Sequence, residues 1–378
     1  MRGRLPTGRA VTVQVADGIV TGIDDAPDEA DLPWLLPGLL DLQVNGYGGL
    51  DVNADPPGSA VVHDLTRALW RHGITGWCPT IITAGRADML ARISAVADAV
   101  ARDETTRHGV VGIHVEGPHL SPQDGARGVH EARHVRPPDV AELETWVDAA
   151  AGLLAIVTLS PEWDGAEDYV RACRARGVVA AIGHTAASPE QIHRCVDAGA
   201  TLSTHLGNGA PATIPRHPNA IWAQLAADPL SASFIADGHH LPADTMTAMI
   251  RAKTVPRSVL ISDSTALAGR PPGDYDTPVG GRVTLSADGR LAPVGSPYLA
   301  GSAITLADAV GRVVDLARVS LADAVRMATA NPAGVLGGRG RGRGRVEPGA
   351  PADLFTCDWS PGDRGLRVRE VVVAGRTV

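Results

Sequence analysis

The sequence of 378 residues contains four cysteines and a single lysine. The cysteines form no C-x-x-C pair, and such scatter is typical of reduced thiols rather than of a disulfide framework. No uninterrupted apolar run reaches the roughly 18 residues that would cross a bilayer. The first residues are charged and lack the apolar stretch of a secretion signal. We therefore expect a globular protein of the cytoplasm that does not associate with membranes.

The charge of the chain argues against nucleic acid as a partner. The formal net charge is −8 and the isoelectric point is near 5.9, so no global field attracts an anionic polymer or membrane surface. One segment, GGRGRGRGR at residues 337–345, has the composition of an RGG-type RNA-binding tail. On an acidic background a short solvated junction between two parts of the fold is the favoured interpretation.

Three common enzyme signatures are also missing. The chain has no G-x-x-x-x-G-K-[ST] loop, no G-x-G-x-x-G in a nucleotide-binding context and no G-x-S-x-G elbow. These absences argue against kinases, dehydrogenases and serine hydrolases.

The two ends of the chain predict one small β domain. VTVQVADGIVTGI, residues 11–23, alternates with period two around Asp17-Gly18, which indicates a hairpin. Short strand-like runs return from residue 346 onward. We expect residues 1–36 and 340–378 to form this domain and residues 37–339 to form another.

The middle of the chain alternates strand-like runs with helical patterns. Eight apolar runs are present: LPGLLDLQVNG, GITGWCPTIIT, GVVGIHVEGP, LLAIVTLSPE, GVVAAIGHTAA, GATLSTHLGNG, SASFIADGHH and SVLISDSTA. Helical segments lie between most of them, and Ser188-Pro189-Glu190 is a good helix start. This alternation predicts an α/β fold with a closed (β/α)₈ TIM-like barrel, whose reactive groups lie at the carboxyl ends of the strands.

Polar side chains collect where the predicted strands end. A lone histidine at such a position is more often structural than a ligand, but here several strands end alike. One carboxylate and two imidazoles from neighbouring strands would form a three-ligand site for a divalent ion with a position open for water. His114 and Glu116 are two apart on one strand, so spacing alone leaves open which one binds. The strand-end residues are Gln43, Asn45, His114, Glu116, His184, His205, Asp237, His239, His240 and Asp263.

These residues stand within motifs that resemble the N-acetylglucosamine-6-phosphate deacetylases of the amidohydrolase superfamily. The motifs follow the family's order through nearly the whole chain: LPGLLDLQVNGYGG, GIHVEGPHL, IGHTAAS, THLGNGAP, ADGHHL, LISDSTALAG, LAGSAITL, MATANPA and VEPGAPADL. The resemblance implies a distorted barrel flanked by a β-sandwich made from both termini. It also implies hydrolysis of the acetamide of an N-acetylated amino sugar, giving acetate and the free amine.

The resemblance further implies roles for single residues. Glu116, His184 and His205 match the metal ligands, so the carboxylate is favoured over His114. The ion is expected to be zinc, with iron and manganese as alternatives. Asp263 matches the acid/base that passes a proton to the departing amine, and His130 matches the loop histidine at the acetyl carbonyl.

The remaining correspondences concern the substrate and the number of metals. His240 matches the histidine that contacts the sugar, and His239 is the weaker candidate. Asn208 and the backbone of Gly209 match the phosphate contacts, joined by Arg216 from the neighbouring subunit of a homodimer. Many amidohydrolases hold a second metal with His-x-His on the first strand. The chain has Gln43 and Asn45 there, which resembles the single-metal members.

Departures from the family pattern affect the substrate more than the chemistry. An aromatic residue, Asn, Ala and Met usually follow the ligand histidine, whereas this chain has Gly207, Asn208, Gly209 and Ala210. Ser264 replaces a usual alanine, and Leu267 stands where proline is common. The smaller side chains keep open an unphosphorylated or modified N-acyl sugar, an N-acyl amino acid or a cyclic amide as substrate. A non-catalytic barrel is a third hypothesis, disfavoured because the whole ligand set is present.

Overall fold

Eight parallel strands form the centre of the molecule in the computed structural model, which describes residues 1–277 and 280–378. Each strand lies within one of the eight predicted apolar runs, and each pairs with its neighbour in chain order. The prediction of a parallel barrel is therefore confirmed. The strands are Leu39–Val44, Ile74–Ile82, Ile113–Glu116, Leu154–Leu159, Val179–Ile182, Leu202–Ser203, Ser231–Ile235 and Ser258–Ile261.

The first and eighth strands meet through a few hydrogen bonds rather than a continuous ladder. The Asp263 amide donates to the Gln43 carbonyl at 3.0 Å, and the Asn45 amide donates to the Ser264 carbonyl at 2.8 Å. Below them, the Ser262 amide donates to Asp41 Oδ1 at 3.2 Å. The buried carboxyl group of Asp41 therefore takes the place of a backbone carbonyl at this seam, directly beneath the strand ends.

The seam gives a pH-dependent prediction for stability. Burial raises the pKa of Asp41 to about 7, and its Oδ2 has no hydrogen-bond partner among the described residues. The folded chain thus retains a proton that the unfolded chain releases above pH ~4. The contribution of Asp41 to the free energy of unfolding is therefore lost as pH rises from about 4 to about 7. We expect Asp41→Asn, which resembles the protonated form, to gain up to about 1.4 kcal/mol per pH unit relative to wild type across that window. Urea unfolding of both metal-free proteins at several pH values measures the difference. A pH-independent difference would contradict the assignment.

Helices cover the barrel, and the predicted ones are present. Ser188 caps its helix through a capping box with Gln191. Four short helices were not predicted, at Glu104–Gly109, Ala220–Ala226, Leu321–Met327 and Ala330–Val335. Within the described residues, none of the helices is long and apolar enough to cross a membrane. The others are Ser59–Trp70, Arg86–Arg102, Val140–Ala149, Ala166–Ala175, Pro189–Ala198, Ala243–Lys253 and Leu306–Ala317, with 3₁₀ turns at Ala132–His134, Val255–Arg257 and Gly337–Gly340.

Both termini build one seven-stranded sheet beside the barrel. It contains the predicted hairpin, Ala10–Ala16 with Ile19–Asp25, around Asp17 and Gly18. The division of the chain after residue 36 and before residue 340 stays a prediction. The other strands of this sheet are Arg2–Arg4, Trp34–Pro37, Leu354–Asp358, Arg367–Val373 and Arg376–Thr377.

A three-stranded sheet between the eighth barrel strand and the next helix was not predicted. Its strands are Gly273–Thr277, Gly281–Leu285 and Leu291–Pro293, and a two-stranded ribbon, Gly46–Tyr47 with Leu50–Asp51, follows the first barrel strand. Apolar side chains of the three-stranded sheet, among them Val283 and Leu291, form a small cluster with Leu267 and Ala300. This sheet therefore adds a wall above the carboxyl ends of the barrel strands.

The arginine-glycine segment is a junction packed against the barrel and the terminal sheet. Arg343 Nη1 lies 3.1 Å from Asp353 Oδ2, and its Nη2 donates to the His108 carbonyl at 2.6 Å. Arg339 donates to the Leu154 carbonyl at 3.2 Å. The predicted junction is less solvated than expected, because these guanidinium groups satisfy buried or half-buried acceptors.

Candidate active site

The candidate catalytic groups lie where the barrel strands end. Glu116 is the last residue of the third strand, and His184, His205 and Asp263 each come two residues after a strand. These last three have left-handed backbones, with φ of 48°, 29° and 47°. The conformation is costly for residues other than glycine and is concentrated at functional sites. The local backbone is therefore strained at the positions that present the candidate groups.

A carboxylate and three imidazoles are brought together at this edge. Glu116 Oε1 lies 2.8 Å from His205 Nε2 and 3.5 Å from His184 Nε2. His130 Nε2, from the loop after the third strand, lies 3.3 Å from His184 Nε2. All four side chains are buried. Oxygen and nitrogen donors pointing at one another without intervening atoms are the arrangement expected for a divalent-metal site.

The hydrogen bonds of the histidines suit metal binding. His184 Nδ1 lies 2.9 Å from the Ala126 carbonyl and must donate to it, which leaves the Nε2 lone pair for a metal. His205 Nδ1 and His130 Nδ1 are buried and have no hydrogen-bond partner among residues 1–277 and 280–378. Imidazoles together with a carboxylate form a donor set that binds Zn²⁺ and similar ions. The residues present therefore fit the divalent ion that the amidohydrolase resemblance implies.

Geometry admits two ligand sets. The ligand atoms of Glu116, His130 and His184 all lie within 4.8 Å of one another. The predicted ligand set contains His205 and not His130. His205 Nε2 lies closer to Glu116 Oε1 than His184 Nε2 does. His205 is also fixed by its own backbone, whose amide donates to Ser233 Oγ at 2.8 Å. The set Glu116, His184 and His205 stays a prediction.

His114 is occupied elsewhere. Its Nδ1 lies 3.0 Å from the Leu42 carbonyl and its Nε2 lies 2.8 Å from Thr158 Oγ1. Thr158 in turn shares a hydrogen bond with Thr204. Since both ring nitrogens have partners inside the barrel, His114 serves packing, whereas Glu116 faces the histidines.

Gln43 and Asn45 bridge the two carboxylates of the site. Gln43 Nε2 donates to Glu116 Oε1 at 3.0 Å and to Asp263 Oδ1 at 3.1 Å, and Asn45 Nδ2 donates to Asp263 Oδ1 at 2.9 Å. Amide protons thus lie beside the carboxylates at the position where the resemblance points to a lost second metal. This arrangement leaves Asp263 Oδ2 for a proton, and the single ion stays a prediction.

The two carboxylates differ in their protonation. Burial, together with the nearby Glu116 carboxylate, raises the pKa of Asp263 to about 8. Burial alone would raise the pKa of Glu116, but the adjacent imidazoles of His184 and His205 outweigh it and hold that pKa well below the usual range. Burial and the neighbouring His184 lower the pKa of His130 to about 3, so that ring is neutral. Two carboxyl groups held in opposite states are typical of acid–base catalysis.

A cavity of about 330 Å³ opens above these groups. The predicted substrate contacts Asn208, Gly209 and His240 line it, together with the catalytic candidates. His239 Nε2 instead lies 3.2 Å from the Asp288 carbonyl oxygen, and His239 is not among the lining residues. Arg216 does not line it and lies on an exposed loop. Lining residues that were not predicted include Asp51, Asn53, Ile82, Val129, Thr265, Val283, Leu291 and Tyr298.

Gly209 is held close to a candidate ligand. Its φ is +56°, and a Cβ atom there would lie 2.6 Å from His184 Nδ1. Any side chain would therefore displace the imidazole or the Gly209 backbone. The close approach of the backbone to His184 therefore accounts for a glycine at position 209, where the sequence departs from the family pattern.

Comparison with known proteins assigns the family. A model of the "Amidohydrolase family" matches residues 34–378. The chain belongs to the amidohydrolase family. The resemblance drawn from the motifs is also confirmed at the level of single relatives, which are deacetylases of amino sugar phosphates.

Two curated relatives and one solved structure illustrate this. The amidohydrolase is 32% identical to an N-acetylgalactosamine-6-phosphate deacetylase of Escherichia coli O157:H7, covering 96% of this chain and 93% of the relative. It is 30% identical to an N-acetylglucosamine-6-phosphate deacetylase of Bacillus subtilis strain 168, covering 85% and 79%. A Mycobacterium smegmatis N-acetyl-D-glucosamine-6-phosphate deacetylase variant, solved with that sugar phosphate, superimposes with a TM-score of 0.86 at 28% identity, covering 98% and 94%.

Proposed function

We propose that this amidohydrolase hydrolyses the acetamide of an N-acetylated amino sugar 6-phosphate, releasing acetate and the free amine. The observation that carries the proposal is the convergence of Glu116, His184 and His205 beside Asp263 in one cavity. The names of the relatives supply the substrate class, as either the gluco or the galacto sugar.

One divalent ion would be held by Glu116, His184 and His205, and Zn²⁺ suits this donor set best. Such an ion polarises a carbonyl and lowers the pKa of water toward neutrality. A bound cation beside Asp263 would favour its ionised form. Ionised Asp263 then accepts the proton of the attacking water on Oδ2, because Gln43 and Asn45 already occupy Oδ1. It then delivers that proton to the amine nitrogen as the C–N bond breaks.

The neighbouring residues orient the substrate. His130, buried and neutral, donates a hydrogen bond toward the acetyl oxygen, and His240 contacts the sugar ring. Asn208 Nδ2 is buried and has no partner in the described part of the chain, which leaves a donor for the phosphate together with the Gly209 backbone. Free and buried cysteines are consistent with a reducing cytoplasm as the place of the reaction.

The phosphate would receive its cation from a second subunit. No lysine or arginine lines the cavity among the described residues. Arg216 lies on the exposed loop between His205 and Asn219, where it is free to reach a neighbouring molecule. Exposed Ile214 and Trp222 lie near it in sequence and would be covered in such a dimer. We therefore propose a homodimer in which Arg216 of each subunit reaches the cavity of the other subunit.

The same lack of a cation favours a second candidate, an unphosphorylated or modified N-acyl sugar, with an N-acyl amino acid or a cyclic amide as further members of that class. In this case the cavity needs no positive charge, and the mechanism is unchanged. Arg216 would then have no part in substrate binding.

Arg216→Ala separates the two candidates. If the guanidinium binds phosphate, KM for the 6-phosphates should rise about 10-fold or more, the effect of losing one charge-assisted contact, while unphosphorylated analogues change little. Steady-state kinetics on both sugars measures this, with exposed Arg133→Ala as the control. An equal loss on both classes of substrate would point to a structural arginine.

Acetate release from a panel of substrates tests the proposed function as a whole. We expect activity on N-acetylglucosamine 6-phosphate or N-acetylgalactosamine 6-phosphate, with lower kcat/KM for the sugars without phosphate. No acetate from any N-acetylated compound, by protein containing stoichiometric metal, would refute the proposal.

A further inference from the structure

Asp237, which has no role in the proposed chemistry, pairs with His240, the residue proposed to contact the sugar. Asp237 follows the seventh barrel strand, Ser231–Ile235, by two residues. Its Oδ2 lies 2.7 Å from His240 Nδ1, and the two side chains are 3% and 7% exposed. His240 lines the cavity and Asp237 does not. The carboxylate therefore lies behind an imidazole that faces the substrate space.

The two oxygens of Asp237 have separate tasks. Oδ1 accepts the backbone N–H groups of His239 and His240 at 2.8 and 2.9 Å, which shapes the turn. Among the residues that the structure describes, Oδ2 has its hydrogen bond with the imidazole of His240 alone. Burial opposes ionisation, but the hydrogen bonds from His240 and the turn outweigh it and lower the pKa of Asp237. Oδ2 is thus an acceptor, and the ring must donate from Nδ1.

Fixing the proton on Nδ1 determines what His240 offers to the cavity. A neutral imidazole with N–H at Nδ1 has a lone pair at Nε2, and Nε2 makes no hydrogen bond within the described part of the chain. We infer that Asp237 is a positioning residue that sets the tautomer of His240, so that Nε2 accepts a hydrogen bond from a hydroxyl group of the substrate sugar. The inference rests on the proposed function, because it assumes a sugar in this cavity.

Asp237→Asn separates this role from the shaping of the turn. The variant keeps Oδ1 and both backbone hydrogen bonds, but an NH₂ group now faces His240 Nδ1. The ring must then accept at Nδ1 and carry its proton on Nε2, which turns the acceptor toward the substrate into a donor. We expect kcat/KM to fall about 10- to 100-fold, the effect of mispairing a buried polar group, with an unchanged Tm.

Two further readouts make the test specific. In ¹⁵N NMR spectra of the metal-loaded chain, the imidazole of His240 should change from the Nδ1–H to the Nε2–H tautomer in Asp237→Asn. The signals are assigned by their loss in His240→Asn. In the His240→Asn background, Asp237→Asn should have no additional effect on kcat/KM.

The possible outcomes are distinct. Wild-type activity of Asp237→Asn, an unchanged tautomer, or an equal loss in the His240→Asn background would each overturn the positioning role. If wild-type protein releases no acetate from any sugar, the proposed function fails instead, while the NMR comparison still decides whether Asp237 sets the tautomer.

Discussion

Asp263→Asn is expected to lower kcat by roughly 10²- to 10⁴-fold, the contribution of a positioned acid–base group. Asparagine retains Oδ1 for Gln43 and Asn45, so the geometry of the site should persist. It cannot take up a proton at the position of Oδ2. The measurement is acetate release at saturating substrate.

Metal content distinguishes loss of chemistry from loss of the site. Because Asp263 lies outside the proposed ligand set, the variant should retain one ion per chain. Asp244→Asn, at an exposed helix position, is the matched control and should keep the wild-type kcat. A fully active Asp263→Asn variant would refute the acid–base role.

Glu116→Gln is expected to weaken metal binding by more than about 100-fold, since loss of even an outer-shell partner costs 10- to 100-fold. The variant removes the one anionic ligand and leaves two imidazoles facing a neutral amide. Competition with a fluorescent zinc chelator measures the dissociation constant. Glu370→Gln, on an exposed part of the terminal sheet, should bind metal as the wild type does.

The same metal-binding assay, together with turnover, distinguishes the roles of His205 and His130. His205→Asn should lose metal as Glu116→Gln does, whereas His130→Asn should keep the metal and lose turnover. The opposite result would assign the ion to Glu116, His130 and His184, the alternative cluster in the structure.

The sequence predicted the barrel because its strands are buried on both faces and read as continuous apolar runs. It could not predict the three-stranded sheet so well, since Gly273–Thr277 is mostly polar and exposed. A signal was nevertheless present in GRVTLSADGRLAP, where Asp288-Gly289 separates two short strands. The sheet supplies a wall of the cavity, so this omission concerned the substrate more than the chemistry.

Within the site, residue types were predictable and their partners were not. The motif around Glu116 identified the carboxylate, but only the contacts of His114 with Leu42 and Thr158 explain why the neighbouring histidine is not a ligand. Such contacts join strands far apart in sequence. Asp41 and Asp237 likewise gained their roles from folded geometry, which a single sequence does not encode in any local pattern.

Anomalous X-ray diffraction from a crystal of the zinc-loaded chain would locate the ion and its ligands. We expect one peak per chain, within about 2.0–2.2 Å of Glu116 Oε1, His184 Nε2 and His205 Nε2. A peak bound by His130 in place of His205, a second peak beside Gln43 and Asn45, or no peak between these strands would contradict this expectation.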